Sequence, residues 1–349
     1  MRNPVLIELT RGPFMESVHA GAVALARPDG APVCAVGDVT VPVFPRSAIK
    51  PLQALAFVES GAIEHFGLGS ADIAIACGSH SGTHRHVAVV EGLLSRAGLT
   101  PAALGCGAHE PMDARAARDL ARLGAHASPL HHNCSGKHAA MLATAAHLQE
   151  PADGYWRPDH PVQIRIRQIL EAFAGVHLGP EVRGIDGCSV PNWAIPLSGL
   201  ARAFARFVTG ESASGARAEA CWRICEACWS NAELVAGPGR LDTLVLERLR
   251  GVALIKAGAE GVYCGAFPRL GLGFALKIDD GAKRAAEAVA ALVVAALYPA
   301  AADLGPQATL RNWRGLEVGR MRPSAGLAGL LAQITGLQRT SRKDSNQPD

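Results

Sequence analysis

Residues 252–278 read VALIKAGAEGVYCGAFPRLGLGFALKI, and this stretch decides the fold. It holds three short apolar runs, 252–256, 262–267 and 272–278, and a glycine-rich turn at 257–261 separates the first two. Short apolar runs bounded by turn residues are typical of β-strands, and short turns join antiparallel neighbours. The stretch therefore predicts three adjacent antiparallel strands.

Further strands are predicted near the N-terminus. Residues 18–26 and 33–43 alternate or run apolar on either side of Pro28-Asp29-Gly30, a pattern typical of a hairpin. Residues 182–188 predict another strand, and 71–77 fit either a strand or a buried helix. Helical spacing predicts helices at 47–59, 84–97, 113–123, 136–148, 161–174, 197–207, 219–235, 241–249 and 282–297.

The order of these elements predicts the fold class. Strands lie toward both ends of the chain, and helices dominate the middle. We expect an α/β fold of the α+β kind, with an antiparallel sheet formed from both chain ends and covered by helices. Residues 1–337 are expected to form a single catalytic domain, and the polar, aperiodic segment 338–349 a disordered tail.

Composition excludes several function classes. The chain has 349 residues, 49% of them hydrophobic, and a net charge of +3 without a long basic run, so we expect no nucleic-acid partner. No window reaches the length of apolar sequence that spans a bilayer, so we expect no membrane association. The first residues lack an apolar segment of signal-peptide length, which predicts a cytoplasmic protein whose 9 cysteines are reduced.

The first candidate for chemistry is Ser47-Ala-Ile-Lys50, at a predicted helix start. Residues three apart share a helix face, so the Lys50 amine can reach the Ser47 hydroxyl. A serine becomes a nucleophile when a base accepts its proton, and a buried lysine can be that base. The tetrapeptide also fits an N-cap serine followed by a surface lysine.

Two later segments extend this pattern. Ser79 lies in the glycine-rich turn CGSHSG after an apolar run, and Lys256-Ala-Gly258 ends an apolar run in the last third of the chain. Ser-x-x-Lys hydrolases similar to β-lactamases carry a downstream serine motif and a Lys-Thr-Gly in that order. The alternatives are a turn residue for Ser79 and an edge-strand charge for Lys256.

A third group of reactive side chains lies at HHNCSGKH, which contains Cys134, Lys137 and His138, and at GIDGCSVPN, which contains Asp186 and Cys188. If the two loops meet, their cysteines could share a zinc ion. Cys134 could instead be a nucleophile with a histidine partner, and both cysteines could simply be buried structural residues. Spacing alone leaves these three interpretations open.

Together these segments resemble one family. The motifs are RSAIKPLQ at 46–53, CGSHSG at 77–82, HNCSGKH at 132–138, GIDGC at 184–188 and KAGAEG at 256–261. In this order, from about residue 6 to about residue 334, the chain resembles the Rhizobium etli-type L-asparaginases, also called asparaginase II or class 3.

The resemblance implies a fold similar to serine β-lactamases and glutaminases, a homodimer, and hydrolysis of L-asparagine to L-aspartate and ammonia. It implies a zinc site as well. It assigns roles to the following residues: Ser47 with Lys50 and Ser79 with Lys256 as catalytic pairs, Cys134, Lys137 and Cys188 as zinc ligands, and Arg46, Lys137, His138 and Asp186 as substrate contacts.

These roles suggest a mechanism in which Ser47 attacks the side-chain carboxamide and Lys50 takes its proton. Backbone N–H groups near Ser47 and around Gly258 are then expected to hold the oxyanion. Three alternatives stay open: another Ser–Lys hydrolase acting on glutamine, β-lactams or peptides, a cysteine amidase using Cys134, and a metal-binding protein without turnover.

Overall fold

The computed structural model of the chain describes residues 3–211 and 215–344, and for 338–344 it describes the backbone alone. The strands, in chain order, are β1 Val5–Arg11, β2 Phe14–Ala26, β3 Pro32–Val36, β4 Pro42–Val43, β5 Arg183–Ile185, β6 Pro191–Trp193, β7 Ile195–Pro196, β8 Leu254–Ala257, β9 Val262–Phe267, β10 Leu272–Ile278, β11 Thr309–Arg311 and β12 Glu317–Pro323. The α-helices are α1 Lys50–Gln53, α2 Leu55–Glu59, α3 Ala62–His65, α4 Ser70–Ala76, α5 His84–Arg96, α6 Ala114–Arg122, α7 Ser135–His147, α8 Pro161–Ala174, α9 Leu197–Thr209, α10 Gly215–Ser230, α11 Ala232–Val235, α12 Leu241–Arg248, α13 Lys283–Leu297 and α14 Ala325–Asp344.

An antiparallel sheet in the order β11-β12-β1-β2-β10-β9-β8 forms the centre of the molecule, and β3 pairs with β2 beside this path. The three strands predicted from residues 252–278 are confirmed as neighbours, with Lys256 opposite Cys264 on the adjoining strand. Strand β1 pairs with β12, where Ile7 lies opposite Pro323. The predicted sheet built from both chain ends is therefore confirmed.

Strand β2 shows how the sheet separates two apolar cores. Ala22, Ala24 and Ala26 belong to one core, and the alternating Val23 and Leu25 belong to the other. Successive strand side chains point to opposite faces, so this alternation buries both faces of the sheet. Helices α7 to α10 contribute to the first core, and α13 and α14 contribute to the second. The small alanines let helix α9 pack directly against β2, β9 and β10.

The helical prediction holds with local differences. The predicted helix 161–174 is confirmed as α8, which His160 caps by accepting a hydrogen bond from the Val162 N–H. The ambiguous segment 71–77 is helical, as part of α4. The predicted helix 47–59 begins instead as the 3-10 helix Arg46–Ile49 and continues as α1 and α2. This tight first turn separates Ser47 from the α-helix that it precedes.

The C-terminal segment also differs from the expectation in part. Helix α14 continues to Asp344, so its backbone is helical through 338–344, where glutamine, arginine and lysine have good helix propensity. The rest of the expected disordered tail, 345–349, lies outside the described residues. Within the ranges 3–211 and 215–344, no helix combines the length and apolarity needed to cross a membrane.

Candidate active site

A cavity of about 310 Å³ lies where the first turn after β4, the loop after α4, the turn after β5 and the end of β8 meet. Its polar and charged lining comprises Arg46, Ser47, Ser79, His132, Asn133, Cys134, Asp186, Cys188, Arg240, Glu260, Tyr263, Lys283 and Glu287. These loops come from sequence positions more than 200 residues apart. The motifs singled out in the sequence thus converge on one concave surface.

Lys50 ties three of these loops together. The side chain is fully buried, and its amine donates hydrogen bonds to the carbonyl of Gly78 and, at 3.3 Å, to the carbonyl of Asn133. The first carbonyl directly precedes Ser79, and the lysine itself follows the 3-10 turn that carries Ser47. Within the described residues, no hydrogen bond joins Ser47 Oγ to Lys50 Nζ. Lys50 therefore fixes the two serine loops relative to each other.

Lys256 lies on β8 and directly precedes Ala257 and Gly258, which line the cavity. Its side chain is fully buried, and burial lowers the pKa of its amine to about 8, against the opposing attraction of Asp242. Ser79 is held by its own N–H, which donates to the carbonyl of Val235 at 2.9 Å. The structure thus places the second predicted lysine beside the cavity, with an amine that can gain and lose a proton near neutral pH.

Asp242 is a residue that the motifs did not reveal. It is fully buried on α12, 3.6 Å from Lys256 Nζ, and it accepts hydrogen bonds from the Ala257 N–H and the Tyr263 hydroxyl, each at 2.7 Å. Burial alone would raise the pKa of this carboxyl, but the charges of Lys256 and Arg240 together with the two hydrogen bonds outweigh burial and lower it. The sequence offered one signal for Asp242, which is a carboxylate within the apolar helical run LDTLVLER.

Arg46 and Asp186 pair with each other on the cavity wall. The guanidinium donates to both carboxylate oxygens, from Nε at 3.0 Å and from Nη2 at 3.3 Å. Arg46, Ser189 and Glu260 have positive φ angles of 52°, 78° and 57°. Such conformations are costly for residues other than glycine and concentrate at functional sites. The backbone around the cavity is therefore strained in three separate loops.

Cys134, Lys137 and Cys188 come together as the resemblance implied. Lys137 Nζ donates to Cys188 Sγ at 3.1 Å. A hydrogen bond from the Cys188 thiol, helped by the nearby Lys50 and Lys137 amines, lowers the pKa of Cys134 despite its burial. Burial alone would lower the pKa of Lys137, but the two sulfurs outweigh it and raise that pKa. In the described part of the chain, no cysteine is disulfide-bonded, and no cluster of three or more His, Cys, Asp or Glu side chains could hold a metal.

Lys137 and His138 lie behind the cavity wall rather than on it. His138 is fully buried, and its Nδ1 shares a hydrogen bond with the Tyr155 hydroxyl at 2.6 Å. Its Nε2 is buried without a hydrogen-bond partner. Burial lowers the pKa of this imidazole well below its usual value, so the ring is neutral at pH 7. The cavity does not present either side chain directly to a substrate.

Gly258 does not fill the role expected of it. Its N–H already donates to the carbonyl of Val262 at 2.7 Å, so this N–H is not free to bind an oxyanion. The glycine is required for another reason, because a Cβ there would lie 2.6 Å from the carbonyl oxygen of Pro45. The end of β8 can therefore pack against the turn that carries Ser47 only because residue 258 has no side chain.

The site thus combines two serine hydroxyls, a charged pocket and two buried amines, the equipment of a serine hydrolase. The model of the L-asparaginase II family matches residues 7–323, and the chain therefore belongs to that family. A comparison with curated proteins gave no match.

Solved structures show only distant likeness. A crystal structure of Mglu in its native form is 16% identical, with a TM-score of 0.41, over 74% of this chain and 56% of that one. A second Mglu structure is 14% identical, with a TM-score of 0.34, over 75% and 62% of the two chains. A β-lactamase from Mycobacterium bovis is 12% identical, with a TM-score of 0.38, over 90% and 95%. The match thus spans less than two thirds of the Mglu chains.

Proposed function

We propose that the protein is an L-asparaginase of the Rhizobium etli type, which hydrolyses L-asparagine to L-aspartate and ammonia. The observation that carries this proposal is the shared cavity: Ser47 and Ser79 line it together with the Arg46–Asp186 ion pair. A serine can attack the side-chain carboxamide there, and the charged pair lies where a zwitterionic substrate needs recognition. Membership of the L-asparaginase II family supports the same reaction.

In this proposal Ser47 Oγ attacks the carboxamide carbon and Lys50 Nζ takes the hydroxyl proton. A neutral amine has two N–H donors and one lone pair. The carbonyls of Gly78 and Asn133 accept from the two donors, which leaves the lone pair for the proton of the serine. The new C–O bond gives a tetrahedral intermediate, and the C–N bond then breaks to leave an aspartyl ester on Ser47.

Ser79 and Lys256 deliver the proton that the leaving nitrogen needs. The lowered pKa of the Lys256 amine, about 8, lets it donate and recover a proton near neutral pH. Ammonia departs with this proton. Water then attacks the ester carbonyl and gives a proton to the Lys256 amine. The C–O bond to Ser47 breaks, Lys50 returns its proton to Ser47 Oγ, and L-aspartate is released.

Zinc fits the group formed by Cys134, Lys137 and Cys188. Zinc accepts two sulfurs, and it accepts the Lys137 nitrogen once the metal displaces its proton. The lowered pKa of Cys134 favours the thiolate that such a site needs. When bound there, zinc would supply a positive charge that orients an anionic or carbonyl group of the substrate.

The protein is also proposed to be a cytoplasmic homodimer. Light scattering of the purified protein tests the dimer.

The decisive experiment is ammonia release from L-asparagine and L-glutamine by the wild type, Ser47→Ala and the control Ser95→Ala, whose serine is exposed on α5. We expect asparagine turnover in the wild type and the control, and none above background in Ser47→Ala. Turnover of glutamine at a higher kcat/KM than asparagine would favour the glutaminase alternative. A folded Ser47→Ala protein with full activity would exclude Ser47 as the nucleophile.

A further inference from the structure

We propose that Arg240 binds the α-carboxylate of the amino-acid substrate, an inference that rests on the proposed function. The other two cavity-lining cations have partners: Arg46 bonds Asp186 at 3.0 Å, and Lys283 lies 3.5 Å from Glu287. Arg240 lines the same cavity, yet within residues 3–211 and 215–344 its side chain makes no ion pair or hydrogen bond. Its charge acts on the buried Asp242 carboxylate at longer range, but its N–H donors are left for a ligand.

Partial burial makes this unpaired guanidinium a candidate anchor. Arg240 Nε is buried without a hydrogen-bond partner, and an unsatisfied buried donor is unfavourable until an acceptor arrives. Glu260 also lines the cavity without an ion pair, but its side chain is exposed and water can solvate it. Among the described residues of this cavity, the buried donor that lacks an acceptor therefore belongs to a cation, which favours an anionic substrate group.

The backbone of Arg240 is held firmly beside the reacting groups. The residue directly precedes α12, and Asp242 two positions later is bonded to the Ala257 N–H and the Tyr263 hydroxyl, each at 2.7 Å. These bonds fix the start of α12 against β8, the strand of Lys256. A guanidinium presents parallel N–H donors that match a carboxylate. Because the backbone of Arg240 is fixed at this place, its side chain selects small amino acids with a free α-carboxylate.

The test compares L-asparagine with 3-aminopropanamide, which is asparagine without its α-carboxylate. The kcat/KM of both compounds is measured for the wild type, Arg240→Gln, Arg240→Lys and the control Arg250→Gln, which removes an exposed, paired charge outside the cavity. Where the analogue turns over too slowly, its inhibition constant against asparagine replaces kcat/KM. Thermal unfolding checks that each variant is folded.

We expect Arg240→Gln to lower kcat/KM for asparagine by about 10- to 100-fold and to change the value for the analogue by less than about 3-fold. Arg240→Lys should recover part of the loss, and Arg250→Gln should behave as the wild type. Equal losses on both compounds, or no loss on asparagine, would overturn the assignment of Arg240.

L-Aspartate binding, measured by calorimetry, separates this inference from the proposed function. A wild type that binds aspartate but releases no ammonia, and loses that binding in Arg240→Gln, would support Arg240 and overturn the asparaginase proposal. A wild type that neither binds aspartate nor turns over asparagine would overturn both.

Discussion

The pH dependence of turnover gives a direct test of Lys256. Burial holds the pKa of its amine at about 8, below the ordinary lysine value of 10.5. Because the ammonium form of Lys256 delivers the proton to the leaving nitrogen, kcat/KM falls as pH rises and is at half its maximum near pH 8. The structure also identifies the group that keeps this pKa from falling further, which is the Asp242 carboxylate at 3.6 Å.

The perturbation is Asp242→Asn, which preserves side-chain shape and removes one negative charge. Two unit charges 3.6 Å apart attract by about 5 kcal/mol at an effective dielectric constant of about 20. That energy limits the shift in the pKa of Lys256 to about 3 pH units, since one unit corresponds to about 1.4 kcal/mol. The carboxylate favours the ammonium form, so its loss lowers the pKa of Lys256. We expect the midpoint to move down by about 1–3 pH units.

The assay is ammonia release at subsaturating asparagine from pH 5 to pH 10, with thermal unfolding at each pH as a check on folding. Asp303→Asn is the matched control, because its exposed carboxylate pairs with Arg248 at the far end of α12. The control should keep the midpoint of the wild type. A folded Asp242→Asn enzyme whose midpoint stays in place or moves up would refute the assignment of the rate-controlling proton to Lys256. The other charged groups that act on this amine are Lys50, Arg240 and Cys134.

Three further predictions follow from the site. Ser47→Ala should lower kcat by about 10³-fold or more in folded protein, measured by single-turnover kinetics, and a smaller loss would argue for another nucleophile. Gly258→Ala should destabilise the protein by about 1–3 kcal/mol in chemical unfolding, because the new Cβ would lie 2.6 Å from the Pro45 oxygen. Gly329→Ala, in an open helical position, should instead be neutral or stabilising by up to about 1 kcal/mol. Zinc added to metal-free protein should bind with release of protons, followed by calorimetry in two buffers of different ionisation enthalpy, and Cys188→Ser should abolish that binding.

The sequence predicted the strands β9 and β10 at their observed bounds because glycines and a proline delimit each apolar run. It did not predict β12, whose residues EVGRMRP contain three charged side chains, a glycine and a proline, a composition typical of loops. That segment becomes a strand because β1, more than 300 residues earlier, supplies its hydrogen-bond partners. Pairing over such a distance leaves no local pattern to detect.

The residues of the candidate site also form two groups, those that the sequence revealed and those that it did not. Ser47, Ser79 and Cys134 were found because they belong to short motifs, and the structure brings them to one cavity. Arg240 and Asp242 were not found, since an arginine before a helix and an aspartate in its first turn are ordinary at helix starts. Their importance depends on where α12 lies against β8, which the sequence does not state.

The central pairing of β2 with β10 has a consequence for synthesis of the chain. Gly21 on β2 lies opposite Ile278 on β10, so β2 cannot pair with β10 until more than 250 further residues have left the ribosome. During that interval its backbone edge is open to other chains, and contacts so distant in sequence also slow folding. Production of the active protein should therefore depend on slow translation, low temperature or chaperones that shield the N-terminal hairpin until the last third of the chain has emerged.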